Sequence, residues 1–292
     1  MTQVTGFIYA APTTVAEALT LLREHGDEAT VLAGGQSLMI LVRQRLITPT
    51  VLVGLKRVAE LKGLEAHDGC IQIGSMVSYR SAARSPLLRE HLPTLAEASG
   101  SVGSVHIRNL GTLGGSVCHA DPAGDVPTVL LSCDATLVLK TPDGGEVRHP
   151  LDDFFTGLFE TRREPEELLV SIEVPAQPAD ATTSYRRYSF REGEYPLCVI
   201  ACRLEWDGET CSGARVAVGG GGTHPMRLHE VEQRLTGQDR GAIDAPAVAQ
   251  EARASLRPVP DVRGSTEWKA TVVAHVLEQA LTEALTREAH RA

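Results

Sequence analysis

The sequence predicts an α+β chain of three packed units, two small α/β lobes and then an antiparallel sheet with helices. Three observations carry that reading. Within residues 30–55 an apolar strand, a glycine pair, a helical stretch and a second apolar strand follow one another. Short strands then alternate with helical stretches as far as a segment bracketed by Pro175 and Pro178. Beyond it come three alternating strands and after them only helices. The expected units are 1–57, 58–177 and 178–292, and a chain of 292 residues suits two or three of them.

In the first unit Thr13 or Thr14 can cap a helix whose apolar residues Val15, Ala18, Leu19 and Leu22 follow the i, i+3, i+4, i+7 rule, and His25–Gly26 closes it. The strand at 30–33, the helix at 36–46 and the strand at 50–55 make a crossover long enough for a parallel pair. The second unit has expected strands at 70–73, 135–140 and 168–174, with helices around 78–83 and 87–99. In the third, residues 184–190, 197–206 and 213–219 alternate as an antiparallel meander that turns at Trp206-Asp207-Gly208-Glu209. Helices are expected at 225–235, around 247–254 and from Ser265 to about Glu288, the last packing through Trp268, Val272, Val276 and Leu285.

Composition excludes several functions. Lys and Arg number 28 against 37 Asp and Glu, a net charge of −9 with no basic block, which argues against a nucleic-acid partner. No stretch approaches the roughly 20 apolar residues of a membrane span, and the first residues lack a secretory signal, so a cytoplasmic protein is expected. The six cysteines, at 70, 118, 133, 198, 202 and 211, show no CxxC pair and read as reduced structural thiols. Cys198 and Cys202 lie an even number apart in a strand and share one face.

Two glycine pairs carry the chemistry. In Val31-Leu32-Ala33-Gly34-Gly35-Gln36-Ser37-Leu38 a strand runs into two glycines where a helix begins. Glycines let successive amides converge on an anion, so a phosphate fits without a basic side chain; a tight structural turn is the plainer alternative. Arg108-Asn109-Leu110-Gly111-Thr112-Leu113-Gly114-Gly115-Ser116 repeats the feature. Two such segments from different lobes could grip the two anionic groups of a diphosphate. Neither is a GxGxxG fingerprint or a Walker loop.

AGGQS at 33–37, RNLGTLGGS at 108–116 and HADPAGDVPTVLL at 119–131 resemble the FAD-binding medium subunit of molybdenum hydroxylases of the carbon monoxide dehydrogenase and xanthine dehydrogenase type. The resemblance spans the chain through FFTGLFET at 154–161, PEELLVSIEVP at 165–175, REGEYPLCVIA at 191–201 and PDVRGSTEWK at 260–269. It implies a two-lobed FAD-binding fold of the vanillyl-alcohol-oxidase/PCMH type followed by a C-terminal flavoprotein domain.

The resemblance places the FAD diphosphate between Leu32, Ala33, Gly34, Gly35, Gln36, Ser37 and Leu38 on one side and Thr112, Leu113, Gly114, Gly115 and Ser116 on the other. It assigns Asp125 to the ribityl hydroxyls, although the same carboxylate could cap a helix. Leu169 is expected against the isoalloxazine, and Arg186 as the cation that meets the negative charge of the reduced ring. Strand alternation points the adjacent Arg187 to the opposite face, so a register slip of one residue exchanges the two. Tyr195 either covers a ring face or packs in a core. His119, beside Asp121, reads as a local hydrogen-bonding residue, and Gly219–Gly222 as a strand-to-helix connection. The sequence departs from the family's usual pattern at Ile40, Gly54 and Ser116, and at the last two the hydrogen bonds to the cofactor are expected to differ.

The function so implied is an electron-transfer subunit: electrons from a molybdenum centre pass through iron–sulfur clusters to this FAD and on to an external acceptor. Molybdopterin and the [2Fe-2S] clusters are expected only on partner chains, a large molybdopterin subunit and a small iron–sulfur subunit, assembled as a dimer of heterotrimers. No catalytic side chain and no metal ligand is assigned to this chain. A self-contained FAD-dependent oxidase or reductase and a cofactor-free scaffold are the rival readings.

Overall fold

A computed structural model describes residues 6–287. The first five residues of the segment searched for a signal, and the expected helix end at Glu288, lie outside them.

The first sheet has three parallel strands in the order Ile8–Ala10, Val51–Gly54, Ala29–Leu32. Thr14 caps the helix Val15–His25 by accepting from the Glu17 amide, and Gly26, at φ +47°, ends it. That helix buries Ala18, Leu19 and Leu22 against the central strand, whose four residues are all buried. The next helix covers only Leu38–Arg43, because Gln36 and Ser37 remain in the turn. Ile8–Ala10 was not expected; three residues are too few to show alternation, and the strand is fixed by pairing along the buried one.

The second sheet is antiparallel, in the order Leu64–His67, Cys70–Gly74, Leu168–Pro175, Thr136–Lys140, Glu146–Pro150. Its three inner strands are those expected. The two edge strands, LEAH and EVRHP, are polar and mostly exposed, so they carry no apolar signal. The expected helix at 87–99 is two helices, Pro86–His91 and Pro93–Ser101, broken at Leu92 because Pro93 cannot continue the first.

The third sheet runs Thr182–Tyr188, Cys198–Asp207, Thr210–Gly219, Met226–Arg227, all antiparallel. Met226–Arg227 forms an edge strand, so the helix expected from residue 225 begins only at His229. Period-two alternation gives the sheet two buried faces. Cys198, Ile200, Cys202 and Leu204 pack on the C-terminal helices, while Val199 and Ala201 belong to the core of the second unit. The helix Asp125–Ser132, all of whose residues are buried, lies on that second face.

The long helix Thr266–Thr286 buries Ala270, Val273, Val276, Leu277, Ala280, Leu281 and Ala284. Of the expected seam only Val276 is fully buried; Trp268 is exposed and stacks on Phe190, and Val272 and Leu285 are half-buried. The true stripe is rich in alanine, which hydropathy underweights and close helix–sheet packing favours.

Asp134 joins the second and third units. It accepts from Arg203 at 2.5 Å, Arg215 at 2.8 Å and Arg227 at 3.1 Å. Burial would raise its carboxyl, but Arg215 and Arg203 outweigh burial and hold it below the usual aspartate value.

Candidate functional site

A cavity of about 650 Å³ opens where the three units meet, within the range of cofactor sites. Its walls include the turn after strand Ala29–Leu32, the segment around Thr112, Leu169 of the second sheet, and Arg187 and Tyr195 of the third unit.

The first glycine segment supplies donors. Gly35 takes φ +69°, and the turn holds its shape through Met39 N–H donating to Gly35 O and the Gln36 side-chain amide donating to Gly34 O. Among the described residues no acceptor meets the amides of Gly34, Gly35, Gln36 and Ser37, and all four residues line the cavity. A carbon added at Gly34 would stand 2.1 Å from Leu110 O, so this glycine is required by close backbone approach. The two glycine segments therefore touch.

The second segment is built differently from the expected nest. Thr112 caps a helix, Leu113–His119, and the glycine pair lies in its first turn. The amides of Leu113, Gly114, Gly115 and Ser116 donate to Val77 O, Ser75 O, Thr112 Oγ1 and Thr112 O, each at 3.0 Å. Gly114 is a packing glycine, since a Cβ there would fall 2.7 Å from Ser75 O. This corrects the expectation of two equivalent amide nests. What the segment turns to the cavity is Thr112, the faces of Gly114 and Gly115, and Ser116, beside the buried Tyr79 phenol. Burial pushes that phenol up to about 12.

Asp125 is 5% exposed, in the first turn of its helix rather than at the cap, which is Gly124. The Tyr185 hydroxyl donates to Asp125 Oδ1 at 2.5 Å, and Arg187 Nε lies 3.2 Å from the same oxygen. Burial raises the carboxyl above its ordinary value, against the opposing pull of Arg187. Arg187 also donates to Ser101 O at 2.7 Å and Glu194 O at 2.9 Å, so one guanidinium ties the second unit to the stretch that carries Tyr195. Tyr195 is half exposed and lines the cavity mouth; burial of its hydroxyl end and the Asp121 carboxylate push its pKa well up.

Thirteen of the sixteen expected site residues line the cavity; Leu32, Leu113 and Arg186 do not. Leu32 ends its strand with its side chain beside Gly35, and Leu113 is fully buried in the core of the second unit. Arg186 is the larger correction. Ser184 and Arg186 face the long helix, bonding Ala280 O and Glu283, whereas Tyr185 and Arg187 face Asp125. Of the two adjacent arginines it is therefore Arg187 that lines the cavity, on the face opposite Arg186.

Sequence reasoning missed Tyr185, whose partner is 60 residues away. It also missed Arg163, which lines the cavity and fixes the approach to Leu168 by donating to the carbonyls of Glu164, Pro165 and Glu167. Neither stands in a motif. His119 lines the cavity 5.2 Å from the Phe159 ring, and burial lowers its pKa. Gly54 is explained by Tyr9, whose hydroxyl would lie 2.3 Å from a Cβ there. Among the described residues no three His, Cys, Asp or Glu side chains converge on a possible metal position, and no helix is long and apolar enough to cross a membrane.

Residues 3–177 match the family described as the FAD binding domain in molybdopterin dehydrogenase, and residues 183–284 match the CO dehydrogenase flavoprotein C-terminal domain. The chain is 36% identical to the 6-hydroxypseudooxynicotine dehydrogenase complex subunit alpha of Paenarthrobacter nicotinovorans, over 96% of this chain and 95% of that one. It is 31% identical to the carbon monoxide dehydrogenase medium chain of Hydrogenophaga pseudoflava, over 96% and 98%. A solved carbon monoxide dehydrogenase from Hydrogenophaga pseudoflava superposes with a TM-score of 0.94 at 31% identity, covering 99% of this chain and 100% of that one. Quinoline 2-oxidoreductase from Pseudomonas putida 86 superposes at 0.90 with 29% identity, covering 97% and 98%. With a cavity built by all three units and likeness along nearly the whole chain, this protein belongs to the FAD-binding medium-subunit family of the molybdenum hydroxylases.

Proposed function

We propose that the chain is the FAD-carrying electron-transfer subunit of a heteromeric molybdenum hydroxylase, with molybdopterin and iron–sulfur clusters on partner chains. One observation carries the reading: four backbone amides without acceptors among the described residues, Gly34 to Ser37, line a cavity that Asp125 and Arg187 also line. The donor set fits FAD. A diphosphate needs convergent N–H groups and no basic side chain, and the amides from Gly34 to Ser37, with the hydroxyls of Ser37 and Ser116, supply such a cradle. When bound, FAD supplies the redox chemistry.

The residues of the chain bind and orient. Asp125, fixed by Tyr185, accepts from ribityl hydroxyls. Arg187, held by three oxygen partners, would supply a preset positive charge to a bound flavin. Leu168 and Leu169 give an apolar wall, and Tyr195 shields the mouth from water. No proton transfer by a side chain is required. In the cell we place the subunit in the cytoplasm, within a dimer of heterotrimers. The relatives are named as subunits or chains of larger enzymes, which leaves a self-contained oxidase without support, and the unpartnered amides speak against a cofactor-free scaffold.

The test is the visible spectrum and flavin content of the chain purified with its partner subunits, beside a Gly35→Ala variant. Added carbon at Gly35 meets only the side chains of Leu32 and Met39, at 3.2 and 3.3 Å, so the fold tolerates it better than a change at Gly34 or Gly114. Stoichiometric FAD in the parent and weakened FAD in the variant are expected. A folded, assembled chain without flavin refutes the reading.

A further inference from the structure

On the far side of the helix Val105–Leu110 from the flavin cavity lies a second concavity, an open groove of about 530 Å³. Its lining includes the apolar Ala83, Pro93 and Ala96 and four arginines: Arg80, Arg84, Arg89 and Arg108. The chain as a whole carries a net charge of −9, so this is a local inversion of sign. Among the described residues none of the four pairs with a carboxylate. Arg80 donates to Asn109 Oδ1 at 3.0 Å, Arg89 to Ala83 O at 3.0 Å and Arg108 to the carbonyls of Val102 and Gly103, while the Arg84 side chain makes no hydrogen bond among the described residues. These neutral acceptors orient three guanidiniums without forming an ion pair with any of the four. Among the described residues Glu97 is the single carboxylate lining it.

We propose that this groove is the docking surface for an acidic segment of a partner subunit, a proposal that rests on the chain working inside a heteromeric complex. Charge complementarity selects the occupant, because four cations not held in ion pairs share one groove with a single lining carboxylate, Glu97, among the described residues, and further carboxylates would relieve their repulsion. The shape argues for a protein segment over a small ion. The groove is open and includes apolar lining residues, and Val105, which lines it, is 57% exposed, as is Leu110 on the same helix at 52%. An arginine rim around apolar contacts is the composition of a protein interface. Position adds a consequence. Val102, Gly103 and Ile107 line the flavin cavity, whereas Val105 and Arg108 line the groove, so a docked partner stands one helix, roughly 10 Å, from the cofactor's cavity.

The experiment uses the complex assembled by co-expression with the iron–sulfur and molybdopterin subunits. The double variant Arg84→Glu, Arg89→Glu changes two exposed side chains away from the flavin cavity. It is expected to weaken assembly about tenfold or more and to make the complex fall apart at lower salt, with the flavin content of the chain unchanged. In a second variant, Arg84→Lys, the charge is kept and an amine is introduced; treatment of the complex with a water-soluble carbodiimide then joins that amine to a partner carboxylate, located by mass spectrometry of the cross-linked peptide. Assembly with unaltered salt tolerance in the first variant, together with no cross-link to an acidic segment in the second, overturns the proposal. A parent complex that assembles without flavin overturns instead the functional reading on which the proposal rests.

Discussion

The two glycine segments look alike in sequence and do opposite things in the fold. Gly34-Gly35 sits in a turn whose amides are left without acceptors, while Gly114-Gly115 sits in a capped helix whose amides are all engaged. A glycine pair is therefore not one signal. In the first segment Gly35 provides positive φ and an open donor cradle; in the second Gly114 provides the absence of a side chain, letting a helix lie on the Ser75 backbone. Of the two segments only the first leaves its backbone donors without acceptors among the described residues.

Substitutions can sharpen that contrast. The largest effect is expected from Gly34→Val and Gly114→Val, each forcing a side chain into backbone atoms. Both should lose about 3 kcal/mol or more of stability in a denaturant titration, and flavin loss in either reports the fold rather than the cradle. Next comes Gly35→Ala, which strains a residue at φ +69° by about 1–2 kcal/mol and turns one amide away from the cavity. Flavin affinity should fall about tenfold, measured by fluorescence titration. Thr112→Val removes the acceptor for Gly115 N–H and should cost about 1 kcal/mol, with a smaller loss of flavin affinity than Gly35→Ala. The opposite ranking of these two would break the comparison.

The smallest effect is one of pH. Burial raises the Asp125 carboxyl in the folded chain, so its contribution to stability is full below the unfolded value of about 3.8 and is lost as pH rises through the folded value. Asp125→Asn lacks that titration. Thermal melts from pH 4 upward should show the stability difference moving in the variant's favour as pH rises. The reverse slope would mean that the Arg187 ion pair outweighs burial.

Much of this architecture is legible in the sequence because it rests on local rules. Thr14 and Gly26 announce the first helix, and the alternation in Cys198–Asp207 sorts its side chains onto two faces. What sequence did not reveal depends on partners far along the chain. Arg186 and Arg187 are indistinguishable until the long helix with Glu283 and the buried Asp125 occupy opposite sides of their strand. Edge strands such as Glu146–Pro150 owe their form to a neighbour's free backbone rather than to their own side chains. The donor asymmetry of the glycine segments was hidden for the same reason, since the acceptors Ser75 and Val77 lie more than thirty residues upstream.

The third sheet is covered on both sides, by its own helices and by the helix Asp125–Ser132. Strip residues 178–292 away and Val126, Val129 and Leu130 lose the surface formed by Val199, Ala201 and Ala217, while Asp134 loses its three arginines. The flavin-binding portion is thus not a detachable cassette. A gene truncated at the proline-bracketed joint would yield an adhesive fragment, and any rearrangement of this subunit in nature or in the laboratory has to carry both family-defined parts together.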